Sequence, residues 1–321
     1  MSPVAVLAGI GSRLPPRLVT NDELAARLDT SDEWIRSRTG IARRYFAPDD
    51  MQTSDLAAAA GAEALKSSGE SQVDTVVVAT TTPDRPCPGT APTVASKLGL
   101  GQPAAFDVSA VCTGFLYALA NAAGLIASGV SERALVVGVE TFSRILDPTD
   151  RGTSTIFGDG AGAVVLRAGR PDELGALGPC TLGSDGEGVD LITVPAGPEA
   201  RYFTMQGKRV FWLAVQRMSQ CAQEVLRQAE WRTTDVDHLV SHQANQRITW
   251  QLADEIGIPR ERSVSNIAEV GNTAAASIPL ALDHARAEGL IKAGDRLLLT
   301  AFGGGLTWGA AALRWPAVGR G

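Results

Sequence analysis

The chain carries the same pattern twice. Val73-Asp74 opens an apolar run, VDTVVVATTT, and Val236-Asp237 opens another, VDHLVSHQAN. A helix-like segment with apolar residues at three- and four-residue spacing precedes each, near Ser54 to Ser68 and near Val210 to Glu230. Arg133 leads into ALVVG and Arg296 into LLLTA, 59 residues after Asp74 and Asp237 respectively. Each copy then closes on a Gly-rich turn and a small-residue strand, Gly158 to Leu166 and Gly303 to Leu313. Three matched elements in one order mean a duplicated β/α unit, and near-continuous apolar strands mean sheets covered by helices on both faces. The expectation is an α/β fold of two βαβαβ halves with mostly parallel sheets. Residues 1–170 form the first half and 171–321 the second.

The segment from Pro171 to Gly207 breaks the repeat with its Gly and Pro and reads as a long loop, a lid or binding wall. Val108 to Ser131 holds 24 residues without a charge, long enough to cross a bilayer, yet Ser109, Thr113, Asn121 and Ser128 interrupt it. It reads as a buried central helix. Met1 to Gly11 reads as a first strand and not a signal peptide, so the cytoplasm is the expected compartment, with no membrane attachment. A formal net charge of -6 argues against nucleic acid as a partner. The four cysteines form no CxxC pair and His238, His242 and His284 are the only histidines, which argues against a metal site or a disulfide framework.

Chemistry concentrates at three residues. Cys112, in DVSAVCTGF, lies where a strand over Ala104 to Val108 turns into the long helix, so its thiol stands near a helix N-terminus, where unpaired N–H groups favour thiolate. Cys180 and Cys221 have no such context and read as small buried apolar residues. His242, in SHQAN, follows the strand that opens at Val236, at a strand end where α/β proteins assemble sites. Asn272, in GNTAAASIPLAL, stands on a turn before a helix, in the second-half place matching Cys112, so a twofold relation would make the two face each other. Gly158, Gly160 and Gly162 run into a strand and Gly9-Ile10-Gly11 lacks its third Gly, so neither is a dinucleotide fingerprint. The triple glycine Gly303, Gly304 and Gly305 offers backbone N–H groups to an oxyanion.

Six blocks in order, TSDEWIRSRTGI, DVSAVCTGF, DRGTSTIFGDGAGAVVL, SHQAN, GNTAAASIPLAL and AFGGGLTWGAAAL, resemble β-ketoacyl-acyl carrier protein synthase III of the thiolase superfamily, from Gly9 to Leu313. The resemblance implies a thiolase-like, layered α-β-α-β-α architecture and an acyltransferase. In it Cys112 takes the acyl group from acyl-CoA, and the N–H groups of Cys112 and Gly304 form the oxyanion hole. His242 and Asn272 stabilise the enolate left when malonyl-acyl carrier protein loses carbon dioxide. Phe302 gates the site. Trp34 and Arg151 stack the adenine of CoA, Arg38 meets its phosphates, and Gly207 and Asn245 line the pantetheine arm. Arg247 matches a carrier-protein docking arginine, and Lys208 and Arg209 add to the basic rim that an acidic carrier protein needs.

The same resemblance implies a homodimer, with acyl-CoA as substrate and no tightly bound cofactor. It puts Cys87 where a Phe often reaches into the partner's acyl pocket, with Phe142 refilling part of that space and Trp212 in place of a docking lysine. The starter is therefore not read as acetyl. With 25 Arg against 4 Lys the composition suggests a GC-rich bacterial genome, where such enzymes also prime polyketide pathways. An alternative is acyl transfer from CoA to an oxygen or nitrogen nucleophile. A biosynthetic thiolase fits less well, because Phe302 stands where its second Cys belongs, and a silent partner subunit would lack Cys112.

Overall fold

The computed structural model describes residues 3–197 and 202–318. Met1 and Ser2 of the expected first strand, and residues 198–201 of the Gly- and Pro-rich segment, lie outside it. The main sheet of the first half is built from β1 (Val4–Arg13), β2 (Thr75–Ala79), β3 (Ala104–Val108), β4 (Arg133–Glu140) and β5 (Gly160–Gly169). They form a sheet in the order β1-β5-β4-β2-β3. The second half supplies β6 (Leu177–Ser184), β7 (His238–Ser241), β8 (Arg296–Gly303) and β9 (Thr307–Arg314), in the order β7-β8-β9-β6. Matching β1 to β6, β5 to β9, β4 to β8 and β2 to β7 superposes the two orders. The place of β3 is held by a single parallel bridge between Leu239 and Ser263.

From β2 through the helix starting at Gly114 to β4 the repeat keeps an offset of 163 residues. It relates Thr75 to His238 and Arg133 to Arg296 at strand starts, and Gly114 to Ser277 at helix starts. It also relates Val111 to Ala274, two non-glycine residues with positive φ, 48° and 43°.

The expectation of mostly parallel sheets is corrected to mixed ones. Only β2 with β3, β2 with β4, and β7 with β8 run parallel, while β1 with β5, β4 with β5, β8 with β9, and β9 with β6 run antiparallel. Residues 304–306 join β8 to β9, too few for the crossover of about a dozen residues that a parallel pair requires. The 171–207 segment is likewise not all loop, because it contains β6, the counterpart of β1.

Six helices matter to the site: α1 (Asp32–Thr39), α2 (Thr53–Ser68), α3 (Gly114–Ala127), α4 (Gly207–Gln228), α5 (Gln246–Ile256) and α6 (Ser277–Ala287). Alternation along each strand decides the layers. Ala134 and Val136 of β4 join Leu116 and Leu119 of α3 and Ala281 and Leu282 of α6 in a central core that also takes Leu297 and Leu299 of β8. Leu135, Val137 and Val139 point the other way, onto Leu56, Ala60 and Ala64 of α2. On the second sheet Leu298, Ala310 and Ala312 turn outward to Val215, Ala222 and Leu252 of α4 and α5. Apolar residues on both faces of both sheets thus produce five layers, with α3 and α6 between the sheets. The uncharged stretch is the buried helix α3, and among the described residues no helix is long and apolar enough to cross a membrane.

Candidate active site

Cys112 stands on a 3₁₀ turn, Val111–Thr113, that runs directly into α3. The β8–β9 turn presses on it so closely that a Cβ added to Gly303 would lie 2.9 Å from the Cys112 N. No side chain fits there, which explains the glycine. Thr307 Oγ1 secures the approach, lying 3.0 Å from Thr113 Oγ1 and Gly304 O and 3.2 Å from Ala110 O. The thiol is free and the residue is half-buried.

The expected thiolate is not found. Burial pushes the Cys112 thiol far up from its ordinary value and the nearby Glu140 carboxylate adds to this, while the residue's own backbone N–H pulls weakly the other way. Desolvation outweighs the helix end, because a buried thiolate gives up far more hydration than the first turn of a helix returns.

His242 follows β7, fixed by its N–H donating to Thr300 O at 2.8 Å. Its ring is buried, Nδ1 has no partner, and burial lowers its pKa to about 4, so the imidazole is neutral at pH 7.

Asn272 is clamped by the first half of the chain: its N–H donates to Ile156 O and its C=O accepts from Gly158 N, both at 3.0 Å. The Ala274 N–H donates to Asn272 Oδ1 at 2.9 Å. The side chain's acceptor is thereby used and its Nδ2 is left to donate. Asn272 faces the nucleophile's half without being its exact repeat. The offset of 163 places Ala275, not Asn272, opposite Cys112, and a Cβ at Gly114 would lie 3.5 Å from Ala275 Cβ. The two turns pack on one another, and the Asn enters three residues earlier.

Cys112 packs against an apolar cluster that includes Phe142, Phe157, Phe203, Ile192, Phe302 and Leu306. Phe142 stacks on Phe157 with centroids 4.2 Å apart, and Phe203 meets both edge-on at 5.0 and 5.1 Å. Phe302 is buried beside the site, and a Cβ at Gly304 would lie 3.0 Å from Ile192 O. Cys87 is not brought into this cluster and is exposed on the chain's surface.

A second group forms at the mouth. The guanidinium groups of Arg38 and Arg151 lie 4.5 and 4.8 Å from the Trp34 ring, and Asn245 Nδ2 donates to Arg38 O at 3.0 Å. Asn245 also lines a cavity of about 420 Å³ with Gly207, Lys208, Phe211, Trp212 and Arg247. Arg209 is exposed outside that lining and bonds Gln206 Oε1.

The sequence reading missed Glu140, Phe157 and Phe203. Glu140 had a signal, a lone carboxylate closing the apolar strand ALVVGVE. The two phenylalanines had none, since only the fold collects them from separate loops.

With this geometry in place, comparison with known proteins is direct. Residues 106–186 match the sequence profile described as 3-oxoacyl-[acyl-carrier-protein (ACP)] synthase III, and residues 226–315 match its C-terminal counterpart. The chain is 70% identical to β-ketoacyl-[acyl-carrier-protein] synthase III 3 of Streptomyces coelicolor, over 99% of each chain. The crystal structure of 3-oxoacyl-(acyl carrier protein) synthase III from Pseudomonas aeruginosa superposes with a TM-score of 0.97 at 54% identity, covering 99% of this chain and 100% of that one. The priming β-ketosynthase of the R1128 polyketide biosynthetic pathway gives 0.94 at 35%, covering 99% and 98%. The matched profiles, the identity over the full length and the shared fold agree: the chain belongs to the β-ketoacyl-[acyl-carrier-protein] synthase III family of thiolase-fold condensing enzymes.

Proposed function

We propose that the chain joins an acyl-CoA starter to malonyl-acyl carrier protein by decarboxylative Claisen condensation, with Cys112, His242 and Asn272 as its catalytic residues. The observation that carries this reading is the meeting of two turns, one from each half of the chain. The first presents the thiol, and the second, with Asn272 Oδ1 already occupied, leaves an amide donor, while His242 at the end of β7 supplies a neutral, buried imidazole. An enolate oxygen needs such fixed donors in a dry pocket, and neither donor adds a titratable acid.

In the first half-reaction Cys112 Sγ attacks the thioester carbonyl, the N–H groups of Cys112 and Gly304 receive the oxyanion, and CoA leaves as its thiol. In the second, His242 and Asn272 hold the thioester oxygen of the malonyl group while carbon dioxide departs. The carbanion then attacks the acyl carbonyl, and the Cys112 sulfur leaves. Phe302, buried against Cys112, keeps water from the acyl thioester.

The Trp34, Arg38 and Arg151 cluster receives the nucleotide end of CoA, and the cavity past Gly207 and Asn245 takes the pantetheine arm. Arg247 and Lys208 on its rim attract an acidic carrier protein, with Arg209 outside it. The working unit is a homodimer in the cytoplasm, in which the exposed Cys87 loop meets the partner's acyl pocket. The chain divides near residue 170 into a nucleophile half and a His/Asn half, and no tightly bound cofactor takes part.

The test separates the half-reactions. With Asn272→Ala and His242→Ala, acylation of Cys112 by acyl-CoA persists in intact-protein mass spectra while release of carbon dioxide from malonyl-acyl carrier protein is lost. Condensation retained in both variants overturns the assignment. An ester or amide product made without malonyl-acyl carrier protein points instead to acyl transfer onto oxygen or nitrogen.

A further inference from the structure

Glu140 is a buried carboxylate for which the condensation has no role. It ends β4 with no solvent exposure, and the groups that bond its carboxylate are donors. Thr81 N–H donates to both carboxylate oxygens at 3.1 Å, Thr82 Oγ1 donates to Oε2 at 2.7 Å, and the Ala275 N–H of the other half lies near enough to favour the charged form. Ala275 is the residue opposite Cys112, and its turn follows Asn272 by three residues. The fit is tight: a Cβ added to the nearby Gly138 of β4 would lie 2.3 Å from Ala275 O.

We propose that Glu140 is a positioning residue for the Cys112 chemistry. Its carboxylate ties the Thr81–Thr82 loop of one half to the Asn272 turn of the other, and sets the charge against which the Cys112 thiolate forms. Of the other titratable groups on packed elements, Glu63 and Lys66 of α2 are exposed, Arg167 of β5 pairs with Glu173, and the rest have partners of their own. On α2, Asp55 pairs with Lys97. On α3, Tyr117 donates to Gly183 O. Ahead of β5, Asp159 accepts from Ala47 N and Ser143. The 274–276 turn carries none. The negative charge acting on Cys112 is therefore that of Glu140.

Glu140→Gln removes the charge and turns an NH₂ toward groups that are all donors, so it loosens the Asn272 turn. Two opposite effects follow. Alkylation of Cys112 by iodoacetamide, followed by peptide mass mapping so that Cys87 is counted separately, becomes about tenfold faster at pH 7, because a nearby like charge shifts a pKa by about one unit or more. Decarboxylation of malonyl-acyl carrier protein slows in the same preparation. Glu140→Asp keeps the charge but shortens the reach, so it slows decarboxylation while leaving the alkylation rate at pH 7 where it was.

The wild-type chain gives a reading that needs no variant. Glu140 titrates near 7, and its ionisation opposes that of the thiol, so log rate against pH rises with less than unit slope through that range. An unchanged alkylation rate at pH 7 in folded Glu140→Gln, or unit slope throughout in the wild type, overturns the proposal. The inference rests on Cys112 being the reactive thiol of the proposed function. Alkylation reads that thiol alone, so a faster rate in Glu140→Gln without any condensation discards the proposed substrates and leaves Glu140's role intact.

Discussion

Asp74 and Asp237 make the same bond in the two halves of the chain. Asp74 Oδ2 accepts from Arg133 N and Asp237 Oδ2 accepts from Arg296 N, both at 2.8 Å, and each Asp N–H donates back to the same Arg carbonyl at 2.9 Å. Each carboxylate ties the entry of one parallel strand to its neighbour, and Asp74 also accepts from Glu132 N at 2.8 Å. Replacing either by Ala is expected to cost about 1 kcal/mol, since both are exposed and water replaces part of what is lost. The double variant should lose the sum, because the sites lie in different sheets. Denaturant midpoints check this, and a loss well above additive overturns the view of two independent ties.

Phe142 is fully buried between two other rings. Phe142→Ala leaves a hole the size of a phenyl ring and is expected to cost about 3–5 kcal/mol. The same hole adjoins Cys112, so intact-protein mass spectrometry after exposure to mixed acyl-CoAs should show longer or branched chains loaded than in the wild type. An unchanged spectrum in a folded variant removes the ring from the acyl pocket.

The duplication was legible because it is carried by local signals: an Asp before an apolar strand, a Gly-rich turn, a helix start. The order of the blocks around Cys112, His242 and Asn272 was legible for the same reason. What failed depended on the assembled fold. Strand direction across the 304–306 turn follows from connection length in space, and the state of the Cys112 thiol follows from burial among Phe302 and Ile192 and from the Glu140 charge, all of which the fold brings in from elsewhere in the chain. Asn272 shows the limit well. Its turn was recognised, yet its placement three residues before the repeat-equivalent position appears only when the two turns are packed together.

Trp34→Ala is expected to raise KM for acyl-CoA about tenfold, with the loading rate at saturation unchanged. A stacked base contributes about 1–3 kcal/mol of binding, and the ring lies far along the chain from the thiol. Loading measured against acyl-CoA concentration reads both quantities, and a fall at saturation with KM unchanged rejects the nucleotide-stacking role.

Arg247→Glu reverses one exposed charge at the mouth shared with Lys208 and Trp212. KM for malonyl-acyl carrier protein is expected to rise about tenfold at low salt and the difference to shrink as ionic strength approaches about 1 M, where screening reaches about 3 Å. Loading from acyl-CoA should change far less. An equal change for both substrates assigns the arginine to the pantetheine arm instead of the carrier protein.

His242 and Glu140 give the fold an unusual pH dependence, because burial moves them in opposite senses. His242 is held near 4 against about 6.5 when unfolded, so between those values the unfolded state binds the extra proton and stability rises with pH. Glu140 is held near 7 against about 4.5, so across its window the native state binds the extra proton and stability falls as pH rises. Each shift of roughly 2.5 units corresponds to about 3 kcal/mol, and the windows overlap between about 4.5 and 6.5, where the two slopes cancel. Urea titrations of the wild type should therefore show nearly flat stability across that overlap from this pair. His242→Asn should lose stability with rising pH there, and Glu140→Gln should gain it. Slopes of the same sign in both variants contradict the opposed shifts, since only groups buried in their neutral forms, one basic and one acidic, produce the crossing.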